Sequence, residues 1–295
     1  MTSLKGTLTA LITPFDADGS PHEEAFRAHV QTQLAAGIEG LVPCGTTGEA
    51  ATLSATEQQD VIRWCVEEVA GTRPVVAGVG SSSTAESARL AQNAAAAGAS
   101  HLLLVTPPYN KPTPAGLIAH FQAVAEASGG LPIVFYNVPG RTALDADDEI
   151  VAAVCRAVPQ VVAIKEATGD LERACRIKER LGDRISLLSG DDFSLLPFYS
   201  VGGDGAISVV SNVLPQDTVA VYRHLQTGDL DAARAAFFRT RILTKPLFAQ
   251  TNPIPVKMAL AALGVCRPHF RLPLVADSAD SYAELHGALR DLGLS

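Results

Sequence analysis

The sequence lacks most of the features that would mark a metal site, a disulfide scaffold or a polyanion-binding surface. Its five cysteines (Cys44, Cys65, Cys155, Cys175 and Cys266) are odd in number and scattered, with no CxxC pair. That spacing suggests neither a disulfide framework nor a zinc site, and it suits a reducing cytoplasm. Basic charge is short: 23 Lys and Arg stand against 31 Asp and Glu, a formal net charge of −8. The imbalance argues against nucleic acid or an anionic membrane as partner. It does not exclude a small anionic substrate, because a site can be locally positive on an acidic chain. No apolar run approaches the roughly 20 residues that span a bilayer. The opening residues have no basic stretch followed by an apolar one, so a soluble, cytoplasmic protein is expected. HExxH, an Asp/Asn-rich loop, GxxxxGK[ST] and GxSxG are all missing. Zinc-hydrolase, calcium, nucleoside-triphosphate and serine-hydrolase chemistries are therefore without support.

What the sequence does contain is alternation. At 47% hydrophobic and 18% charged it has the profile of a packed α/β enzyme. Short β-branched runs are each followed by a helical pattern. Eight strands are predicted, at residues 7–13, 40–44, 74–79, 101–106, 132–137, 161–166, 185–189 and 205–209. They are nearly continuous apolar runs, as parallel strands buried on both faces should be. Helix signals separate them. Ser20-Pro21-His22-Glu23 and Ser54-Ala55-Thr56-Glu57 read as capping boxes. Asp170 can cap the sixth helix, and Gly37, Gly71, Gly98 and Gly182 can end helices. Eight such units predict a (β/α)8 TIM barrel over residues 1–224. Residues 225–295 read as a C-terminal helical appendage, with helices near 229–243, 253–263 and 277–292. The competing architecture, a doubly wound dinucleotide-binding sheet, lacks its fingerprint. Gly78-Val79-Gly80 follows the third strand, but no third glycine comes at the required spacing.

A barrel of this kind gathers function at the C-terminal ends of its strands. Lys165 ends the apolar run Val161–Ile164. Burial there disfavours the ammonium form, and a neutral amine can attack a ketone to form an iminium. The structural alternative is an ion pair with Glu166. Tyr136, one strand earlier, offers a phenol as proton shuttle, or a core tyrosine. Gly45-Thr46-Thr47-Gly48 offers hydroxyls and backbone N–H groups to a carboxylate, or caps its own turn. Arg141, in the turn set by Pro139-Gly140, can grip a second carboxylate or serve as a surface residue. Asp191 and Asp192 read as helix-capping residues rather than metal ligands. Cys44 reads as buried packing.

Together these motifs resemble the dihydrodipicolinate synthase and N-acetylneuraminate lyase superfamily. The likeness runs along nearly the whole chain. It is carried by Thr9-Ala10-Leu11-Ile12-Thr13-Pro14-Phe15, Gly45–Glu49, Tyr136–Thr142, Ile164–Gly169, Ser189–Asp192 and Asn252–Lys257. The resemblance implies a metal-independent lyase of lysine and diaminopimelate biosynthesis, with no cofactor beyond a covalent Schiff base of pyruvate on Lys165. It implies Tyr136 as proton donor and acceptor. Thr46 would relay its proton to a Tyr109 that reaches in from a neighbouring subunit of a dimer of dimers. It further implies Thr47 on the pyruvate carboxylate, Gly190 and Ile207 lining the pyruvate pocket, and Arg141 on the carboxylate of L-aspartate 4-semialdehyde. That arginine favours the synthases over lyases of 2-oxo sugar acids or 4-hydroxy-2-oxoglutarate. Retention of the whole set disfavours an inactive metabolite-binding member.

One departure from the superfamily pattern concerns regulation. Where lysine-inhibited members carry a tyrosine, a histidine and an asparagine, this chain has Pro108, Gln58 and Ser82, although Glu86 is kept. Lysine titrated into an activity assay is expected to inhibit weakly or not at all through the sub-millimolar range. Half-inhibition within that range would refute the expectation.

Overall fold

A computed structural model describes residues 3–294. The first two residues of the expected barrel segment, and Ser295 at the end of the helical segment, lie outside the described residues. Eight parallel strands form one sheet: β1 (Gly6–Ala10), β2 (Gly40–Val42), β3 (Val76–Gly78), β4 (His101–Val105), β5 (Ile133–Asn137), β6 (Val161–Glu166), β7 (Ser186–Ser189) and β8 (Gly205–Ser208). Their order is β2-β1-β8-β7-β6-β5-β4-β3. A parallel bridge, Leu41 to Val75, joins the two ends. Helices surround the ring, which is the expected (β/α)8 barrel. All eight predicted strands are present, most of them one to three residues shorter than read from the sequence.

Side-chain alternation along each strand divides the apolar run between two cores. On β1, Thr7 and Thr9 face the outer helices: their hydroxyls donate to the Thr218 carbonyl (3.3 Å) and to Gln33 Oε1 (2.8 Å). Leu8 and Ala10 face inward. With Val42, Leu103, Val134, Tyr136, Ala163, Leu188 and Ile207 they fill the barrel interior. The outward residues Ile133, Phe135 and Ile164 join the larger core under the helices. There Phe135 stacks on Phe121 with ring centroids 4.8 Å apart.

Helix signals in the sequence fare unevenly. Ser54 and Glu57 form a full capping box at Ala55–Val69. Asp170 accepts from the Glu172 and Arg173 amides, and Gly182 ends that helix. The box expected at Ser20 does not form. The helix Glu23–Ala35 begins two residues later than that box requires, capped by His22, whose ring nitrogen accepts from the Ala25 amide at 3.2 Å. Ser20 instead hydrogen-bonds Asp18, and Pro21 bridges to Phe15. The chain stays extended at Pro21 because that bridge competes with a first helical turn.

After the eighth barrel helix (Pro215–Gln226) come Leu230–Leu247, Ile254–Ala262 and Ala283–Asp291. Their apolar faces close around Leu243, Leu260, Leu285 and Leu289, and share that core with Ile12, Val209 and Val210 beside β1 and β8. No helix among the described residues is long and apolar enough to cross a membrane.

The seam between β2 and β3 is tight. A Cβ on Gly78 would lie 2.0 Å from the Cys44 carbonyl oxygen. Backbone cannot retreat as a flexible side chain can. Gly78→Ala is therefore expected to destabilise the fold by about 2–4 kcal/mol, read as a lower urea midpoint with an unchanged slope. A midpoint within error of the parent would refute this.

Candidate active site

The site follows from strand register. Tyr136 pairs with Lys165 across β5 and β6, and Lys165 pairs with Leu188 of β7. Tyr136 and Lys165 each lie two residues beyond an inward-facing neighbour, Val134 and Ala163, so both point into the barrel mouth. Both are buried. The lysine Nζ lies over the face of the Tyr136 ring, 4.3 Å from its centroid. The contact is thus with the ring face.

The structural alternative for Lys165 fails on the same geometry. Glu166 is next in the strand and so points outward. Its carboxylate accepts from Asn137 Nδ2 (3.0 Å) and from the Thr168 amide (2.8 Å). Burial pushes its carboxyl above the usual range, against those hydrogen bonds. Lys165 takes part in none of the ion pairs found among the described residues.

Gly190 follows β7 on the inward side. A Cβ there would meet Lys165 Cε at 2.9 Å and Ala167 Cβ at 2.6 Å. Only glycine leaves the lysine its path. Ile207 is buried in the interior beneath.

The GTTGE turn follows β2. Gly48 and Glu49 amides close it onto the Gly45 and Thr46 carbonyls. The Thr46 and Thr47 amides donate to no acceptor among the described residues. Two unspent N–H groups beside the buried Thr47 hydroxyl make a carboxylate cradle. That hydroxyl accepts from Asn252 Nδ2 at 3.0 Å.

A cavity of about 350 Å³ opens over these residues, lined in part by Cys44, Thr46, Tyr136, Val138, Arg141 and Asn252. Lys165, Thr47, Gly190 and Ile207 do not line it directly. The Tyr136 ring, against which the lysine packs, is part of its wall. Arg141 is on the one-turn helix Pro139–Thr142, and its Nη2 donates to the Asn252 carbonyl at 3.3 Å. Tyr109 is 92% exposed, at φ +75°. No hydrogen bond joins Thr46, Tyr136 and Tyr109 within the described residues of one chain.

Other sequence readings resolve as follows. Cys44 is buried, its thiol donates weakly to the Gln58 carbonyl (3.6 Å), and burial pushes the thiol up. Asp192 caps, but not its own helix: its Oδ2 accepts from the Val209 and Val210 amides beyond β8. Asp191 accepts from the Ser194 hydroxyl at 2.6 Å. No cluster of His, Cys, Asp or Glu among the described residues is arranged to hold a metal.

These features can be set beside known proteins. The sequence profile of the dihydrodipicolinate synthetase family matches residues 3–292. The chain belongs to the dihydrodipicolinate synthetase family. It is 46% identical over 292 residues to a 4-hydroxy-tetrahydrodipicolinate synthase of Maridesulfovibrio salexigens, covering 99% of each chain. Its fold superposes on dihydrodipicolinate synthase of Aquifex aeolicus with a TM-score of 0.95 at 38% identity, again over 99% of each. A chloride-inhibited dihydrodipicolinate synthase of Acinetobacter baumannii, solved in complex with pyruvate, gives 0.95 at 36%, over 99% of this chain and all of that one.

Within this family member, sequence reasoning missed the contacts between the GTTGE turn and the appendage, of Thr47 with Asn252 and of Glu49 with Lys257. Glu49 and Lys257 were visible as parts of two separate motifs, but nothing in the sequence joined them. In the fold they form an ion pair at 2.6 Å with both side chains fully buried. Burial pulls the Lys257 ammonium below its usual value, and Glu49 opposes that pull. The lysine also lies 4.3 Å from the Phe15 ring centroid, and Glu49 accepts from the Arg271 amide. The pair fastens the GTTGE turn to the helical appendage. Lys257→Met strands a buried carboxylate and is expected to cost about 3–5 kcal/mol, measured by urea denaturation. Glu49→Gln combined with Lys257→Met should recover most of that loss. A single variant as stable as the parent would refute the assignment.

Proposed function

We propose that this enzyme condenses pyruvate with L-aspartate 4-semialdehyde to give 4-hydroxy-tetrahydrodipicolinate, with Lys165 as the Schiff-base residue. The observation that carries the reading is the register pair Tyr136–Lys165, in a chain related over its full length to 4-hydroxy-tetrahydrodipicolinate synthases.

The Lys165 amine adds to the pyruvate ketone, and the carbinolamine loses water to leave an iminium. Tyr136 carries the proton out and back. Its ring packs against the lysine amine at 4.3 Å and the residue also lines the cavity, which supports that role. The iminium acidifies the methyl group, and proton loss gives an enamine. The enamine carbon attacks the aldehyde. The substrate amine then adds to the iminium carbon and expels Lys165, closing the ring. One water leaves per turnover, and no electrons are gained or lost. The protonated imine is the electron sink, so no step calls on a metal or an organic cofactor.

Thr47, with the free amides of its turn, holds the pyruvate carboxylate. Gly190 keeps space for the lysine adduct, and Ile207 floors the pocket. Arg141 takes the carboxylate of the aldehyde. Thr46 passes the tyrosine's proton to Tyr109 of a second subunit. The exposure of Tyr109 supports such sharing. So does Leu272, 78% exposed beside the lining residues Pro273 and Leu274. Phe238 and Ile242, exposed one turn apart on Leu230–Leu247, support a second contact, and hence a dimer of dimers. The five cysteines are free, in keeping with a cytoplasmic setting.

The test couples product formation to an excess of the next reductase and follows NADPH loss. Lys165→Ala should abolish turnover, and Arg141→Ala should raise the aldehyde KM by at least about tenfold with little change for pyruvate. Absence of turnover, with pyruvate still trapped on Lys165 by borohydride, would keep the chemistry but overturn the aldehyde assignment.

A further inference from the structure

Asn252 touches the binding groups proposed for both substrates, yet it comes from the helical appendage, 205 residues away from Thr47 in sequence. Its side chain is buried. Its Nδ2 donates to Thr47 Oγ1 at 3.0 Å. Its backbone carbonyl accepts from Arg141 at 3.3 Å. Its side-chain carbonyl oxygen is buried with no partner among the described residues.

A hydroxyl has one proton to give. While Asn252 donates to Thr47 Oγ1, that proton is not spent on Asn252. It is free for an anion held by the adjacent Thr46 and Thr47 amides. Were the partner an acceptor, Thr47 would donate to it and present a lone pair to the carboxylate instead. The chemistry at position 252 therefore sets whether Thr47 attracts or repels a carboxylate.

We infer that Asn252 is a positioning residue that fixes the polarity of the Thr47 hydroxyl, orienting it as a donor to the carboxylate of the 2-oxo acid. The inference rests on the Lys165 reading above and deepens it. Aspartate is the same size as asparagine but, when ionised, offers only acceptors. It would reverse Thr47 and place a negative charge beside an anion. Alanine would merely free the hydroxyl. The two variants should therefore separate: Asn252→Ala is expected to raise the half-saturating pyruvate concentration about tenfold, and Asn252→Asp about a hundredfold. The maximal extent of Lys165 modification should stay near the parent's in both. A residue that only supported the fold would lower that extent and the thermal midpoint together.

The experiment titrates pyruvate against intact protein, traps the adduct on Lys165 with borohydride and quantifies it by mass spectrometry. Thr47→Val supplies a background without the hydroxyl. There, Asn252→Ala should change half-saturation by less than about twofold. Full, additive effects in that background would overturn the inference, as would Asn252→Asp behaving like Asn252→Ala. A parent that traps no pyruvate would overturn the Lys165 reading itself and this inference with it.

Discussion

The site depends on a buried ion pair that takes no part in the chemistry. Glu49 ends the turn that carries Thr46 and Thr47, and Lys257 starts in the helical appendage. Two charges at zero exposure are costly to remove from water, and their attraction repays that cost only in good geometry. Here the geometry is enforced from several sides. Phe15 and Phe270 give the ammonium aromatic faces, and the Arg271 amide holds the second carboxylate oxygen. Arg271 in turn binds Glu57 and the Thr52 carbonyl, on the far side of the same turn. The Arg271 guanidinium holds the Glu57 carboxyl down at about 2. Barrel and appendage are thus locked in the region where pyruvate and aldehyde are proposed to meet.

Against that lock, the catalytic pair needs little machinery of its own. Two adjacent strands and a period of two put Tyr136 and Lys165 side by side in the mouth. The same alternation sends Asn137 and Glu166 outward, where they bind each other and fix the strand ends. One strand pair therefore carries a reactive inward face and a bracing outward face.

The barrel was legible because its strands are short, apolar and separated by strong helix signals. The eight expected strands are all present, most of them shorter, and the Ser54 and Asp170 caps form as read. Ser20 misled because a tight turn, closed by the Phe15–Pro21 bridge and by the Asp16 amide on the Ser20 carbonyl, competes with the capping pattern. At the site, Lys165 and Tyr136 were placed by strand ends, a local signal, whereas Gly190 and Ile207 came from the family resemblance. Lys165 and Tyr136 share the mouth and Gly190 borders the lysine, but Thr46 and Arg141 meet Tyr136 only across the cavity. The Glu49–Lys257 and Thr47–Asn252 contacts span more than 200 residues. They belong to how the appendage docks, and a single sequence carries no measure of that distance.

The barrel does not close evenly. Seven neighbouring pairs are laddered, whereas β2 and β3 meet through the single Leu41–Val75 bridge and the squeeze at Gly78. The Leu41 and Gly78 amides still bond across it, to the Pro74 and Pro43 carbonyls at 3.0 Å each. β2 runs directly into the turn that bears Thr47. The turn that bears the carboxylate cradle thus hangs between two fixed contacts, the close approach at Gly78 on one side and the Glu49–Lys257 pair on the other.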